Sequence, residues 1–137
     1  MGMHDFRQLV SSGSPLELIV GYSRAVRVGA RVFVAGTAPQ FDDGHCPDDP
    51  AEQARRCLDI IGTALADAGG SMADVVRTRV YLVDAADFEP ISHVHGEAFH
   101  DIRPANTTVV VKQLLDPRWK VEIEVEAIIA KERSPMQ

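Results

Sequence analysis

A chain of 137 residues with 45% apolar and 25% charged residues suits a single folded domain with one core, and excludes a disordered or fibrous chain. Its formal charge of −6 opposes non-specific attraction to phosphate backbones, which needs Lys/Arg stripes that release counterions. No apolar run approaches the roughly 20 residues that cross a bilayer and no signal-peptide pattern opens the chain, so the expectation is a cytoplasmic protein with no membrane or nucleic-acid partner.

Residues 1–20, through Ser11-Ser12-Gly13-Ser14-Pro15, are read as a loose lead-in, with Leu16, Leu18 and Val20 alternating as a short edge strand does. Two β-rich runs, 24–28 and 31–35, flank the pair Gly29-Ala30 and predict a hairpin that Gly36 ends. The polar stretch 41–49 is a surface loop. A helix is predicted from Asp49, with Pro50 at the first helical position and Glu52 three residues beyond the cap. Its stripe of Ala54, Cys57, Leu58, Ile61, Leu65 and Ala68 ends at Gly69-Gly70.

A strand over 74–84 puts Val76, Thr78, Val80 and Leu82 on one face and Arg77, Arg79 and Tyr81 on the other. A second helix over 87–102 carries Phe88, Ile91, His95, Ala98 and Ile102 inward and stops at Pro104. Strands over 105–112 and 119–130 close the chain. On the last strand Glu122, Glu124 and Glu126 point one way and Val121, Ile123, Val125 and Ala127 the other. The order β-β-α-β-α-β-β is an α+β domain over 1–137, with two helices for one sheet face and the other face uncovered in a monomer. Arg77, Arg79 and Tyr81 are expected to meet the glutamates on that uncovered face.

Candidate chemistry is sparse. Cys46 and Cys57 have neither metal-ligand spacing nor a disulfide framework and are expected to be free thiols. His93, Glu97 and His100 share a helical face at i, i+4 and i+7, which offers metal ligands or ordinary exposed contacts; nothing elsewhere completes a tetrahedral set, and no metal is expected. His95 lies with the apolar stripe, as a packed or pocket-edge histidine whose titration keeps a catalytic role open. No phosphate-cradling glycine loop and no activated nucleophile are visible, and no cofactor is expected.

Several stretches in order, Gly21-Tyr22-Ser23, Arg31 to Gly36, Gln53-Ala54-Arg55, Asp74 to Thr78, Asp87-Phe88, Arg103-Pro104-Ala105 and Val121 to Glu124, resemble successive landmarks of the YjgF/RidA superfamily. The resemblance implies a chorismate-mutase-like α+β fold with a mixed sheet, a homotrimer whose uncovered sheet faces turn inward, and a small-molecule pocket at each subunit boundary. Characterised members hydrolyse reactive enamines and imines, such as 2-aminoacrylate, to ketoacids and ammonia, and others are described as ribonucleases or translation inhibitors.

On this resemblance Glu122 corresponds to a glutamate that positions water, and Tyr22, Gly36 and Thr108 correspond to pocket residues. Ser92 replaces a common asparagine. The arginine that grips a substrate carboxylate in the deaminases is replaced by Asn106, which forfeits a charge-assisted bond worth about 1–3 kcal/mol. By parity Asn106 and Thr108 share a strand face, and Glu122 is expected to face them across the sheet. The chain also resembles a subgroup marked by Gly-Tyr-Ser-Arg, His-Gly-Glu and Ile-Arg-Pro-Ala that lacks the pocket arginine. Arg24, two residues after Tyr22, is a candidate substitute for a carboxylate-bearing ligand, or else a surface arginine on an edge strand. Three functions follow: a deaminase-like hydrolase of altered specificity, a non-catalytic metabolite-binding or chaperone-like trimer, and an endoribonuclease.

Overall fold

A computed structural model describes residues 7–130. In chain order they form β1 (Arg7–Val10), α1 (Leu16–Val20), β2 (Ala25–Val28), β3 (Arg31–Thr37), α2 (Pro50–Asp67), β4 (Val75–Leu82), α3 (Phe88–Phe99), β5 (Ala105–Val110) and β6 (Val121–Ile128). Single 3-10 turns, Met72–Asp74 and Ala85–Asp87, lead into β4 and α3.

Local signals explain the elements that matter most for the site. The Asp49 side chain accepts the Glu52 backbone N–H at 3.2 Å, Pro50 opens α2, and Gly69 follows in the left-handed region at φ +89°, where a side chain would be strained. Gly29 at φ +60° lets β2 turn into β3 with Val28 paired to Arg31. The α2 stripe is buried from Ala54 to Ala68, as its spacing requires.

The six strands make one sheet in the order β1-β2-β3-β6-β4-β5, antiparallel throughout except for the parallel β4–β5 pair. The last strand therefore inserts at the centre, and β5, which precedes it in sequence, lies at an edge. Helices α2 and α3 pack on one face. Val121, Ile123, Val125 and Ala127 of β6 are buried under them, beside Val32, Val34, Val80 and Leu82. The opposite face carries the β6 glutamates, with Tyr81 opposite Glu122, Arg79 opposite Glu124 and Arg77 opposite Glu126.

Two readings of the sequence need correction. The segment 16–20 is a short helix, α1, instead of an edge strand; Leu18 is 93% exposed, so its alternation with Leu16 and Val20 reflects no sheet, and Gly21 at φ +86° stops the turn. The segment 7–10 of the lead-in is the edge strand β1, while residues 1–6 lie outside those described. Val76 is 43% exposed and its neighbour Val75 is buried, because a bulge lets Val75 pair with Ala127 and Arg77 with Glu126. One extra residue reverses the parity of everything before it.

Gln53 is fully buried and fixes where β6 begins. Its Nε2 donates to Pro47 O at 2.7 Å and Arg118 O at 2.9 Å, and its Oε1 accepts the Lys120 N–H at 2.7 Å. Substituting Gln53→Leu strands three backbone groups at once, so we expect a loss of about 3 kcal/mol in urea unfolding; a change within about 0.5 kcal/mol contradicts this role for the clamp.

Candidate functional site

The site residues fall into two groups. The first surrounds a bulge in β3. Val34 pairs with Val125 and Thr37 with Ile123, so three steps along β3 match two along β6, and the surplus falls at Ala35-Gly36. A bulge leaves ladder groups free, and Arg24 takes them: its Nη2 donates to Ala35 O at 2.6 Å and to Gly36 O at 2.7 Å. Both protons of that nitrogen are thus committed to the backbone, and Nε is buried without a partner. Burial holds the Arg24 pKa below its ordinary value, with Tyr22, Glu17 and Glu122 pulling the other way. Arg24 is thus a clasp on the bulge more than an open cation at an edge.

Gly36 lies against the Glu122 carboxylate. A Cβ there would overlap Glu122 Oε2, so the missing side chain makes room for the carboxylate. Burial pushes the Glu122 carboxyl above its usual range; Arg24 opposes the shift and Glu124 adds to it. Tyr22 is partly exposed and, with Arg24, borders a groove of about 810 Å³ between the Ser11–Ser14 turns, Phe41 and the Arg56 flank of α2. A carboxylate with a raised pKa beside freed carbonyls and an arginine can hold a water and pass a proton in either direction.

The second group lies on the other side of the sheet. Asn106 pairs with Thr78 across the parallel β4–β5 register, and Thr78 points to the helices, so Asn106 shares the helix side while Glu122 does not. The expectation that Asn106 and Thr108 face Glu122 is corrected: parity establishes that the two share a face, and the parallel register decides which face. Asn106 Nδ2 donates to Thr78 Oγ1 at 3.0 Å, Thr108 Oγ1 donates to Asn106 Oδ1 at 3.0 Å, and Thr78 Oγ1 lies 2.8 Å from His95 Nε2 on α3. Ser92, also on α3, donates to Phe88 O at 2.5 Å and borders a shallow groove with His93 and Glu97.

Thr78 and His95 form a link that sequence reasoning missed. A threonine at a core phase between Val75 and Val80, facing a histidine on an apolar helix stripe, is the signal that could have found it. Burial keeps the His95 pKa below its ordinary value. Glu97 Oε1 lies 3.7 Å from Arg55 Nη2. Cys57 is buried, donates to Thr37 O at 3.2 Å and has its pKa raised by desolvation, so it is no nucleophile.

The family model described as Endoribonuclease L-PSP matches residues 13–129. The chain belongs to the endoribonuclease L-PSP family. This family member is 46% identical to a Mycobacterium tuberculosis protein of the YjgF/YER057c/UK114 family, with a TM-score of 0.84 over 90% of this chain and 99% of that one. It is 40% identical over 119 residues to the uncharacterized protein SCO2049 of Streptomyces coelicolor, covering 86% of this chain and 89% of the relative. It is 34% identical over 117 residues to 3-aminoacrylate deaminase RutC of Acinetobacter baylyi, covering 84% and 91%. The YjgF-type α+β fold expected from the sequence is the fold observed. Among the described residues of this L-PSP family chain, no helix is long and apolar enough to cross a membrane.

Two predictions follow from the Glu122 environment. Because the folded state raises this carboxyl pKa above the ordinary 4.5, the native protein binds the proton more tightly, and ionisation costs stability as pH rises through the folded pKa. Glu122→Gln should therefore unfold at a higher temperature than the natural protein at pH 7, with the gap closing as pH falls toward 4.5; a gap that widens on acidification contradicts the assignment. Gly36→Ala should push the flexible carboxylate aside, changing stability by less than about 1 kcal/mol while the Glu122 titration, followed by carbon-13 NMR, returns toward its ordinary range.

Proposed function

We propose that the chain works in the cytoplasm as a homotrimer whose subunit boundaries bring the two half-sites together as small-molecule pockets, and that it is a deaminase-like hydrolase of reactive enamines or imines with altered specificity. The observation that carries this reading is the division of the site: Glu122 and its arginine-clasped bulge lie on one face of the sheet, and Asn106 with Thr108 lies on the other. A small ligand on one chain cannot touch both, whereas a neighbouring copy can supply the missing half. The relative named 3-aminoacrylate deaminase supports the chemistry.

In this reading Glu122 orders a water and takes its proton as the oxygen attacks the C=N carbon. With the C=N group in its iminium form this gives a neutral carbinolamine; the same carboxyl returns the proton to nitrogen, and as ammonia leaves the hydroxyl passes its own proton back to the carboxylate, leaving a carbonyl. Backbone groups of the pocket polarise the C=N bond, and Tyr22 forms part of the wall. No cofactor takes part.

One observation favours a second reading, a binding or chaperone-like trimer that takes a metabolite without turning it over. The neutral Asn106 amide stands where the family's deaminases have an arginine, and Arg24 has given two donors to the backbone. An endoribonuclease is disfavoured by the charge of −6.

Ammonia release in a system that generates 2-aminoacrylate separates the first two readings. The hydrolase reading expects release above background from the natural protein, faster release from Asn106→Arg, and a loss of at least about 100-fold in Glu122→Gln. Release from Asn106→Arg alone favours the second reading, a competent scaffold whose carboxylate anchor is missing, and release that survives Glu122→Gln overturns the proposed mechanism.

A further inference from the structure

The second half-site is more than an asparagine: it is a hydrogen-bonded chain of four side chains, with its inner end buried. Its polarity follows from counting protons. Asn106 gives one amide N–H to Thr78 Oγ1 and receives the Thr108 hydroxyl proton on Oδ1. A threonine hydroxyl has a single proton to give, and the other polar neighbour of Thr78, which is fully buried, is His95 Nε2 at 2.8 Å. Thr78 therefore donates to His95, which accepts at Nε2 and carries its own proton on Nδ1. A half-buried ring packed at 4.7 Å from the Phe99 ring favours the neutral imidazole that this requires.

The consequence appears at the outer end, on the exposed edge strand β5. Asn106 retains one free amide N–H. Thr108 has spent its only proton on Asn106 and can offer lone pairs alone. The edge thus presents one donor beside one acceptor, fixed in that order by residues that do not reach the ligand. A carboxylate is acceptor-only and satisfies the amide N–H while opposing the Thr108 oxygen. A primary carboxamide or a ureido end offers a carbonyl to Asn106 and an N–H to Thr108, and leaves neither group unpaired.

We propose that Thr78 and His95 are positioning residues that set the hydrogen-bonding polarity of Asn106 and Thr108, and that the pocket selects ligands ending in a neutral carboxamide or ureido group over carboxylates. This rests on the inter-subunit pocket described above and names its substrate class: an enamine or imine whose distal end is an amide. The four residues form a specificity device in which a buried threonine carries to the ligand the choice of tautomer made at a helix histidine.

The test uses pyruvamide and pyruvate, which differ only at the end group, titrated separately into the full chain at pH 8 and followed by NMR on the Asn106 side-chain amide. The natural protein should bind pyruvamide about tenfold more tightly. Thr78→Val, which keeps shape and loses the hydroxyl, should bring the two affinities close together, and Thr78→Ser should restore the preference. These variants share one net charge, so general repulsion of anions by an acidic protein moves none of the ratios. Long-range proton–nitrogen spectra should find His95 Nε2 unprotonated. Equal or tighter binding of pyruvate, a ratio unmoved in Thr78→Val, or a proton on Nε2 overturns the proposal while leaving the pocket intact. If neither probe perturbs Asn106, the pocket reading itself fails, and this proposal falls with it.

Discussion

The constraint on which the molecule depends is the two-residue period of its central strand. Helices α2 and α3 claim Val121, Ile123, Val125 and Ala127, all essentially inaccessible to water, so Glu122, Glu124 and Glu126 have no choice but the opposite face. Strand β4 answers in register. Arg79 lies 3.4 Å from Glu124 and 3.0 Å from Glu126, Arg77 lies 3.9 Å from Glu126, and the Tyr81 hydroxyl donates to Glu124, which raises the tyrosine pKa. With side chains 25–39% exposed on one chain, such pairs contribute at most about 1 kcal/mol each. Closure by sister copies, as proposed, would desolvate them, and any mismatch of partner would then leave a charge uncompensated.

Within that regular lattice the chemistry sits where regularity fails. The bulge at Ala35-Gly36 turns two carbonyls away from the ladder, and Arg24 holds them. The glycine at the same point leaves space for the Glu122 carboxylate, which is the end of the glutamate row and the one without a β4 arginine opposite it. Glu124 and Glu126 are neutralised by arginines, whereas Glu122 faces Tyr81 and burial raises its pKa against the pull of Arg24. One row of three glutamates thus yields two structural partners and one candidate acid–base group.

Much of this was legible in the residues. The cap at Asp49, the α2 stripe and the faces of β6 follow from local chemistry and period, and so did the pairing of the arginines with the glutamates. What was not legible depends on contacts between distant segments. Leu16, Leu18 and Val20 alternate like a strand, but a five-residue helix with little burial leaves no periodic trace. Val76 follows parity until a bulge, visible only in the pairing with Ala127 and Glu126, displaces it. Parity joined Asn106 to Thr108 but could not say that β5 runs parallel to β4 and carries both to the helix side. The Thr78–His95 contact joins residues 17 apart; His95 stood out on its apolar stripe, but its partner appears only once the helix is packed.

The central claim is that the face bearing Glu122 and Arg77 is closed by two further copies of the chain. Sedimentation equilibrium at micromolar concentration tests it most directly. The account predicts a single species of three times the 15.0 kDa chain mass. A stable species of 15.0 kDa would contradict the closed face and dissolve the pockets with it.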